Sequence, residues 1–406
     1  MDEKRNLTGI SKYNKKFIQG RPKTAEELVG FLEQGAKYRS FPYLISELYQ
    51  EEDMEKRLRQ GLREITGDNE ESIRKNVQNW IKGKSAPKNR EVLFQICFIL
   101  GLDEEQSSRL LGEYSENRIH YRNPGELAYA YALRKKMSYP KAVRLKEETL
   151  KIYEEETAKH KEEIQQINSL RQEKAEQGGG YPGTSKNRQE EAILYTGRTK
   201  ELFDQVETEE DYFAFIRENS IYLGILHETA YAKFMELLNL LQYAGEEKYS
   251  LEQVMDEYLQ MSVPQGRNVG NMSALQKLIK KCWPNETVLN RMKNRKIDVG
   301  RKTMILLYLI TENYDKEVVD GEEFFYCDEE YSPEELFEIR CDQMDLYLKQ
   351  FGMNTLDYGN PFDLIVLYAM HPAFSQGEES FASERLEDVL AALFEGATPE
   401  GADHEE

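Results

Sequence analysis

The chain has 406 residues, 39% of them apolar and 32% charged, with a formal net charge of −20. That length accommodates two or three domains with cores of their own, and the apolar fraction excludes a chain disordered throughout. The acidic balance argues against a nonspecific polyanion binder, and the four cysteines (Cys97, Cys282, Cys327 and Cys341) form no Cys-x-x-Cys pair, against a disulfide framework or a zinc ribbon.

In chain order, residues 1–23 form a polar, basic arm with Lys4, Arg5, Lys12, Lys15, Lys16, Arg21 and Lys23. It lacks the apolar core of a signal peptide. Thr24 and Glu27 make a capping box that opens a helix, and helical patterns continue to about Lys146. From Ala142 to Gln177 charged and long polar side chains dominate, with a weak stripe of Val143, Leu150, Ile164 and Ile167. This predicts a solvated connecting helix, or less readily a coiled-coil seam. The Gly-rich 178–187 stops it as a linker. Helices resume over about 189–243 and again behind the Ser250–Gln253 box. Residues 317–331 are the single candidate for a hairpin, and an acidic tail follows Phe394. No apolar run approaches the ~20 residues of a membrane span. The expected fold class is all-α.

An internal repeat organises the rest. The segment Val77–Leu100, VQNWIKGKSAPKNREVLFQICFIL, lies over 288–311 in basic and apolar positions: Val77 on Val288, Asn79 on Asn290, Lys82 on Lys293, Arg90 on Arg301. Downstream, YRNPGELAYAYAL (121–133) matches YGNPFDLIVLYAM (358–370). In each, Asn caps a helix, Pro takes its first position and an acid, Glu126 or Asp363, complements the dipole. Leu127/Leu364, Tyr131/Tyr368 and Leu133/Met370 supply the packing face. Two echoes in one order imply a duplicated lobe. The implied organisation is an arm (1–23), an N-terminal lobe (24–145), a connecting helix and linker (146–190), a middle helical segment (191–245), a diverged C-terminal lobe (246–375) and an acidic helix and tail (376–406).

The stretch from Val77 to Leu111, VQNWIKGKSAPKNREVLFQICFILGLDEEQSSRLL, resembles the lambda-repressor-like (Xre/Cro) helix-turn-helix regulators. The resemblance is carried by a helix ending at Gly83-Lys84, Pro87, an apolar helix ending in Leu100-Gly101-Leu102, and a last helix from Asp103 with Gln106 as its box partner. The Asn-Pro segment is similar to an extension in some Firmicutes members. The resemblance covers about 35 residues, about 60 with the extension, and implies two helix-turn-helix-like lobes joined by the charged helix. It departs from the family before the recognition helix, where GLREITGDNEESIRK is longer than the usual tight turn.

On this reading Val77, Trp80 and Ile81 pack inward, while Arg74, Lys75, Gln78, Asn79 and Lys82 face a major groove and Lys84, Lys88 and Arg90 hold phosphates. In the second lobe the corresponding set is Asn290, Lys293, Arg295, Lys296 and Arg301, but Glu286 replaces Lys75 and Leu289 replaces Gln78, poor choices for a phosphate groove. Charge agrees: residues 73–90 carry +6 and 277–302 carry +7, leaving −33 on the remainder. Six phosphate contacts imply a log–log salt slope of roughly −5. Against this, lysines at a helix C-terminus stabilise any helix, and Trp80 reads first as core.

Enzyme signatures fail. Residues 178–186 imitate a phosphate loop with Lys186 misplaced, and HETAY (227–231) lacks the second histidine of a zinc-protease helix. No cofactor or metal is expected. The expected protein is a cytoplasmic, non-enzymatic transcriptional regulator that binds double-stranded DNA. A homodimer or a protein partner remains open, and the middle stretch GILHETAYAKFMELLNLLQYAG is a candidate dimer face. The alternative is an interaction or signalling scaffold that keeps the fold without binding DNA.

Overall fold

A computed structural model describes residues 9–20, 24–87, 89–115, 118–160, 199–220, 223–224, 228–245, 247–264, 272–312, 316–319, 322–325, 331–351, 353–372, 374–375, 378–379 and 381–396. The fold is all-α, with two very short antiparallel ladders. In chain order the helices are α1 (Gly9–Ile18), α2 (Ala25–Gly30, running on through a wider turn, Phe31–Gly35), α3 (Phe41–Leu48), α4 (Met54–Thr66), α5 (Glu70–Ile81), α6 (Arg90–Leu100), α7 (Glu104–Ser115), α8 (Pro124–Arg134), α9 (Tyr139–Lys159) and α10 (Glu209–Glu218). They continue as α11 (Glu228–Gln242), α12 (Leu251–Val254), α13 (Ala274–Cys282), α14 (Glu286–Lys293), α15 (Arg301–Ile310), α16 (Pro333–Gln350), α17 (Pro361–Met370) and α18 (Ala382–Leu393). The hairpin expected over 317–331 is present as β1 (Lys316–Val319) on β2 (Glu322–Phe325), in register Lys316 to Phe325. A second ladder, β3 (Phe374–Ser375) on β4 (Glu378–Glu379), was not expected. Among the described residues no helix is long and apolar enough to cross a membrane, and no group of His, Cys, Asp or Glu could hold a metal ion.

The described residues of 39–225 and 352–354 form one compact unit, and those of 1–38, 226–351 and 355–406 form another. Two expected boundaries move. Residues 24–38 belong with the C-terminal copy: α2 packs on α18, and Asn14 of α1 donates to the carbonyls of Lys37 (2.6 Å) and Tyr358 (2.7 Å). The middle segment is divided, α10 going to the first unit and α11 to the second. The first part of α9 is packed rather than solvated, while 150–160 hold no buried residue. Ala142, Leu145 and Thr149 of α9 are buried at helical spacing, and Thr149 Oγ1 lies 2.9 Å from the Tyr212 hydroxyl of α10. The remainder of the expected connecting helix and the Gly-rich linker lie outside the described residues.

Helix ends follow their local chemistry. Thr24 and Ser250 form the capping boxes read from the sequence, Asp103 and Gln106 exchange side-chain and backbone bonds likewise, and Ser332 forms a further box with Glu335. Thr208–Asp211 and Ser273–Gln276 add two more boxes. Gly101 ends α6 in the left-handed region (φ 67°), with Leu102 N–H donating to Cys97 O at 3.0 Å.

The core of the first unit joins Phe41 and Leu44 of α3, Leu58 and Leu62 of α4, Ile73, Val77 and Trp80 of α5, and the apolar face of α6. Trp80 is buried and meets Phe41 edge-on at 6.4 Å, as expected of a core residue.

Candidate nucleic-acid interface

Helix α4 ends at Thr66, and α5 begins at Glu70. The turn between them is therefore three residues, Gly67-Asp68-Asn69, and the longer segment expected from the sequence is mostly helix. Gly67 takes φ 67°, a conformation glycine adopts without steric cost, and donates to Arg63 O at 3.0 Å. The Asn69 side chain accepts from Glu71 N–H at 2.8 Å and starts α5. The outward course of α5 is then fixed by the burial of Ile73, Val77 and Trp80 on its other face.

This places the expected reading residues as follows. Lys75, Lys82 and Lys84 are exposed, and Arg74, Gln78 and Asn79 are half-buried. Arg74 is engaged: its Nη2 lies 2.5 Å from Glu71 Oε1, and the guanidinium holds that carboxyl below the usual range. Gly83 closes the helix at φ 67°, with Lys84 N–H donating to Asn79 O at 2.8 Å. Lys88 lies outside the described residues.

Arg90 is not a phosphate ligand in this arrangement. Its Nε and Nη2 reach the two carboxylate oxygens of Glu126 at 2.6 and 2.8 Å, and Nη2 also donates to Arg118 O at 2.5 Å. Glu126 Oε2 accepts from His120 N–H at 2.8 Å as well. A charge satisfied by a bidentate partner and a carbonyl has little left for an external anion.

The second copy repeats this clamp with Nη1 in place of Nε and an aspartate in place of the glutamate. Arg301 reaches both Asp363 oxygens at 2.9 and 2.8 Å and Thr355 O at 3.0 Å, while Asp357 N–H donates to Asp363 at 2.8 Å. Arg301 and Asp363 are almost wholly buried, so the expected DNA role of Arg301 is also withdrawn. The acid at the third position of each Asn-Pro helix does more than complement a dipole: it pins the preceding loop to the helix that bears the arginine.

The repeat also needs a shift of one residue upstream. Leu289 and Met292 are the buried residues of α14, as Val77 and Trp80 are of α5. Arg295 occupies the left-handed position (φ 55°) that Gly83 occupies after α5, and Lys296 N–H donates to Arg291 O at 2.8 Å as Lys84 does to Asn79. Leu289 thus stands where Val77 does, not Gln78, and is core rather than a misplaced groove residue. Glu286 takes the place of Arg74. Of the second set, Asn290 is exposed and bonds Asn294, Lys293 is half-buried and Lys296 exposed. The Arg295 guanidinium lies 4.1 Å from the centre of the Tyr231 ring, whose hydroxyl donates to Lys293 O at 2.8 Å. Helix α14 has eight residues against the twelve of α5, and Arg295 and Arg301, which follow it, are spent on packing, while Arg291 and Lys296 stay exposed.

Sequence reading missed a further group. Arg63 of α4 pairs with Glu70 at 3.0 Å and Arg59 approaches it at 3.9 Å, so α4 and α5 are bridged across the turn. Arg59 and Arg63 are one turn apart on α4, a spacing that could have marked them. Comparison with protein families, with curated proteins and with solved structures gives no match for this chain.

Proposed function

We propose that the protein is a sequence-specific DNA-binding transcriptional regulator of the lambda-repressor-like kind, which reads the major groove with α5. The observation that carries the reading is the solvent-facing side of α5 and its end. Lys75, Lys82 and Lys84 are exposed beyond a three-residue turn, while the opposite side of the helix is sealed in the core. Lysines on such a face hold phosphates, and Gln78 and Asn79 between them are of a type that reads base edges. Binding to a duplex operator as a cytoplasmic homodimer supplies the second half-site, because the second copy's helix is shorter and carries Glu286 where α5 carries Arg74.

The rival reading, a scaffold that keeps this arrangement for a protein partner, is favoured by one observation. Glu70 and Glu71 occupy the first turn of α5, the end that enters the groove in such regulators. One experiment separates the two. Retention of the full chain on genomic DNA fragments is measured across a salt series, with Lys75→Glu/Lys82→Glu as the companion. Three phosphate-bound lysines give a log–log slope of roughly −3 per protomer and roughly −5 for the bound dimer. The double variant loses binding at every salt concentration. No salt-dependent retention at low ionic strength ends the DNA reading and leaves the scaffold.

A further inference from the structure

The three described cysteines are all buried and none is in a disulfide, and they differ in what surrounds them. Cys97 and Cys341 are 0% exposed, and burial pushes the Cys97 thiol up to about 12. Such thiols are inert. Cys282 is 8% exposed, at the last position of α13, directly before the Trp283-Pro284-Asn285 turn that leads into α14. Its Sγ lies 3.1 Å from Leu278 O and 2.8 Å from Nζ of Lys302 in the first turn of α15. The lysine head is placed by its surroundings: it sits 5.6 Å from the centre of the Phe362 ring, which Trp283 meets edge-on at 5.9 Å. Trp283 is anchored in turn by its indole N–H on Leu259 O at 2.6 Å.

We propose that Cys282 and Lys302 form a redox-modification site, in which peroxide oxidation of the thiol is captured by the neighbouring amine as a sulfenamide cross-link. In the first step hydrogen peroxide is reduced and the sulfur oxidised: the thiol takes one peroxide oxygen to become a sulfenic acid, and one water leaves. In the second step the deprotonated Lys302 amine attacks the sulfur. The S–N bond forms, the S–O bond breaks, and the hydroxyl leaves with an amine proton as a second water. An amine already at hydrogen-bond distance, on a partly buried ring-lined shelf, holds this capture ahead of release to solvent. The product staples the end of α13 to the start of α15 and so fixes the turn that carries α14. A thiol reductant cleaves it and restores both side chains.

The test uses the full chain, reduced, freed of reductant and treated with hydrogen peroxide, with dimedone present to trap any sulfenic acid. The expected product is lighter than the reduced protein by two hydrogen atoms. On tryptic digestion, Cys282–Arg291 is joined to the peptide that carries Lys302, and dithiothreitol separates them. Lys302→Arg keeps the charge and lacks the nucleophilic amine; it is expected to give a dimedone adduct on Cys282 and no cross-link. A dimedone adduct on Cys282 of the unaltered chain, or a Cys282 that stays reduced while peroxide is consumed, overturns the proposal without any variant needing to fold.

Discussion

Arg301 and Asp363 share two hydrogen bonds with side-chain exposures of 3% and 1%; Arg90 and Glu126 share two with 27% and 15%. The same clamp therefore sits in two dielectric settings, and the cost of breaking it follows the setting. Truncating one member of a buried pair strands the other's charge, so Asp363→Ala is expected to destabilise its unit by about 3–5 kcal/mol. Water still reaches the first clamp, and Glu126→Ala is expected to cost about 1.5–3 kcal/mol, the range for charged hydrogen bonds. Replacing both buried partners together, Arg301→Met with Asp363→Leu, removes two desolvated charges and is expected to restore most of the loss. Urea midpoints for the single and paired variants check all three; equal losses for Asp363→Ala and Glu126→Ala would show that burial does not set the scale. These clamps also show the limit of reading one position at a time. An arginine at the head of an apolar helix looks solvent-facing, and its acid lies 36 or 62 residues further on. The clue was the acid at the third position of both Asn-Pro helices, matched by an arginine in both earlier echoes.

At the scale of elements, the helix pair α4–α5 depends on two glycines for different reasons. A methyl group on Gly61 would lie 2.6 Å from Cγ1 and 2.7 Å from Cγ2 of Ile99, a branched side chain with little room to move. Gly61→Ala is therefore expected to force α4 away from α6 and to cost about 1–3 kcal/mol. At Gly67 a methyl would meet nothing within 4 Å, and only the positive φ opposes it. Gly67→Ala is expected to cost about 1 kcal/mol, with Gly67→Asn milder because Asn tolerates that region. Chemical denaturation of the three variants gives the order Gly61→Ala, Gly67→Ala, Gly67→Asn; a larger loss at Gly67 would put the strain in the turn rather than in the α4–α6 contact. Helix starts were legible because a cap is local: Thr24, Ser250, Asn123 and Asn360 each use chemistry within three residues. Helix faces were less so. The α9 stripe was read as Val143 and Leu150, whereas Ala142, Leu145 and Thr149 are buried, because a Thr bonded to the Tyr212 hydroxyl packs where hydropathy alone predicts solvent. The second copy's register slipped by one because Arg295 takes the positive-φ turn that Gly83 takes in the first.

For the whole molecule, the chain's two tryptophans fall one in each unit, Trp80 in the first and Trp283 in the second. Each unit also holds a titrating group in an altered state. In the second, His371 is 7% exposed, its ring packed on Phe337 at 4.8 Å and its Nδ1 3.1 Å from Pro372 O. Burial pushes its pKa below the ordinary 6.5; Pro372 O and Glu334 pull it back up, while Arg385 and Arg340 push it further down. The unfolded chain then binds more protons below 6.5 than the folded one. Stability is full above that value and falls as pH drops from it toward the folded pKa, by at most ~1.4 kcal/mol per pH unit. In the first unit, Glu91 is raised by burial but lowered further by hydrogen bonds from Tyr129, Tyr139 and Lys146, so it ends below the ordinary 4.5. Its contribution is present above 4.5 and is lost only as pH falls through the lower, folded value. Between about pH 6.5 and 5, these two groups predict that the second unit alone weakens. In Trp80→Phe, where Trp283 reports, the urea midpoint is expected to be lower at about pH 5 than at about pH 7, and His371→Gln is expected to remove the difference. In Trp283→Phe, where Trp80 reports, the midpoint is expected to stay put. Midpoints that move together in both single-tryptophan chains would show that the units unfold as one, and that protonation of His371 is felt by the entire protein.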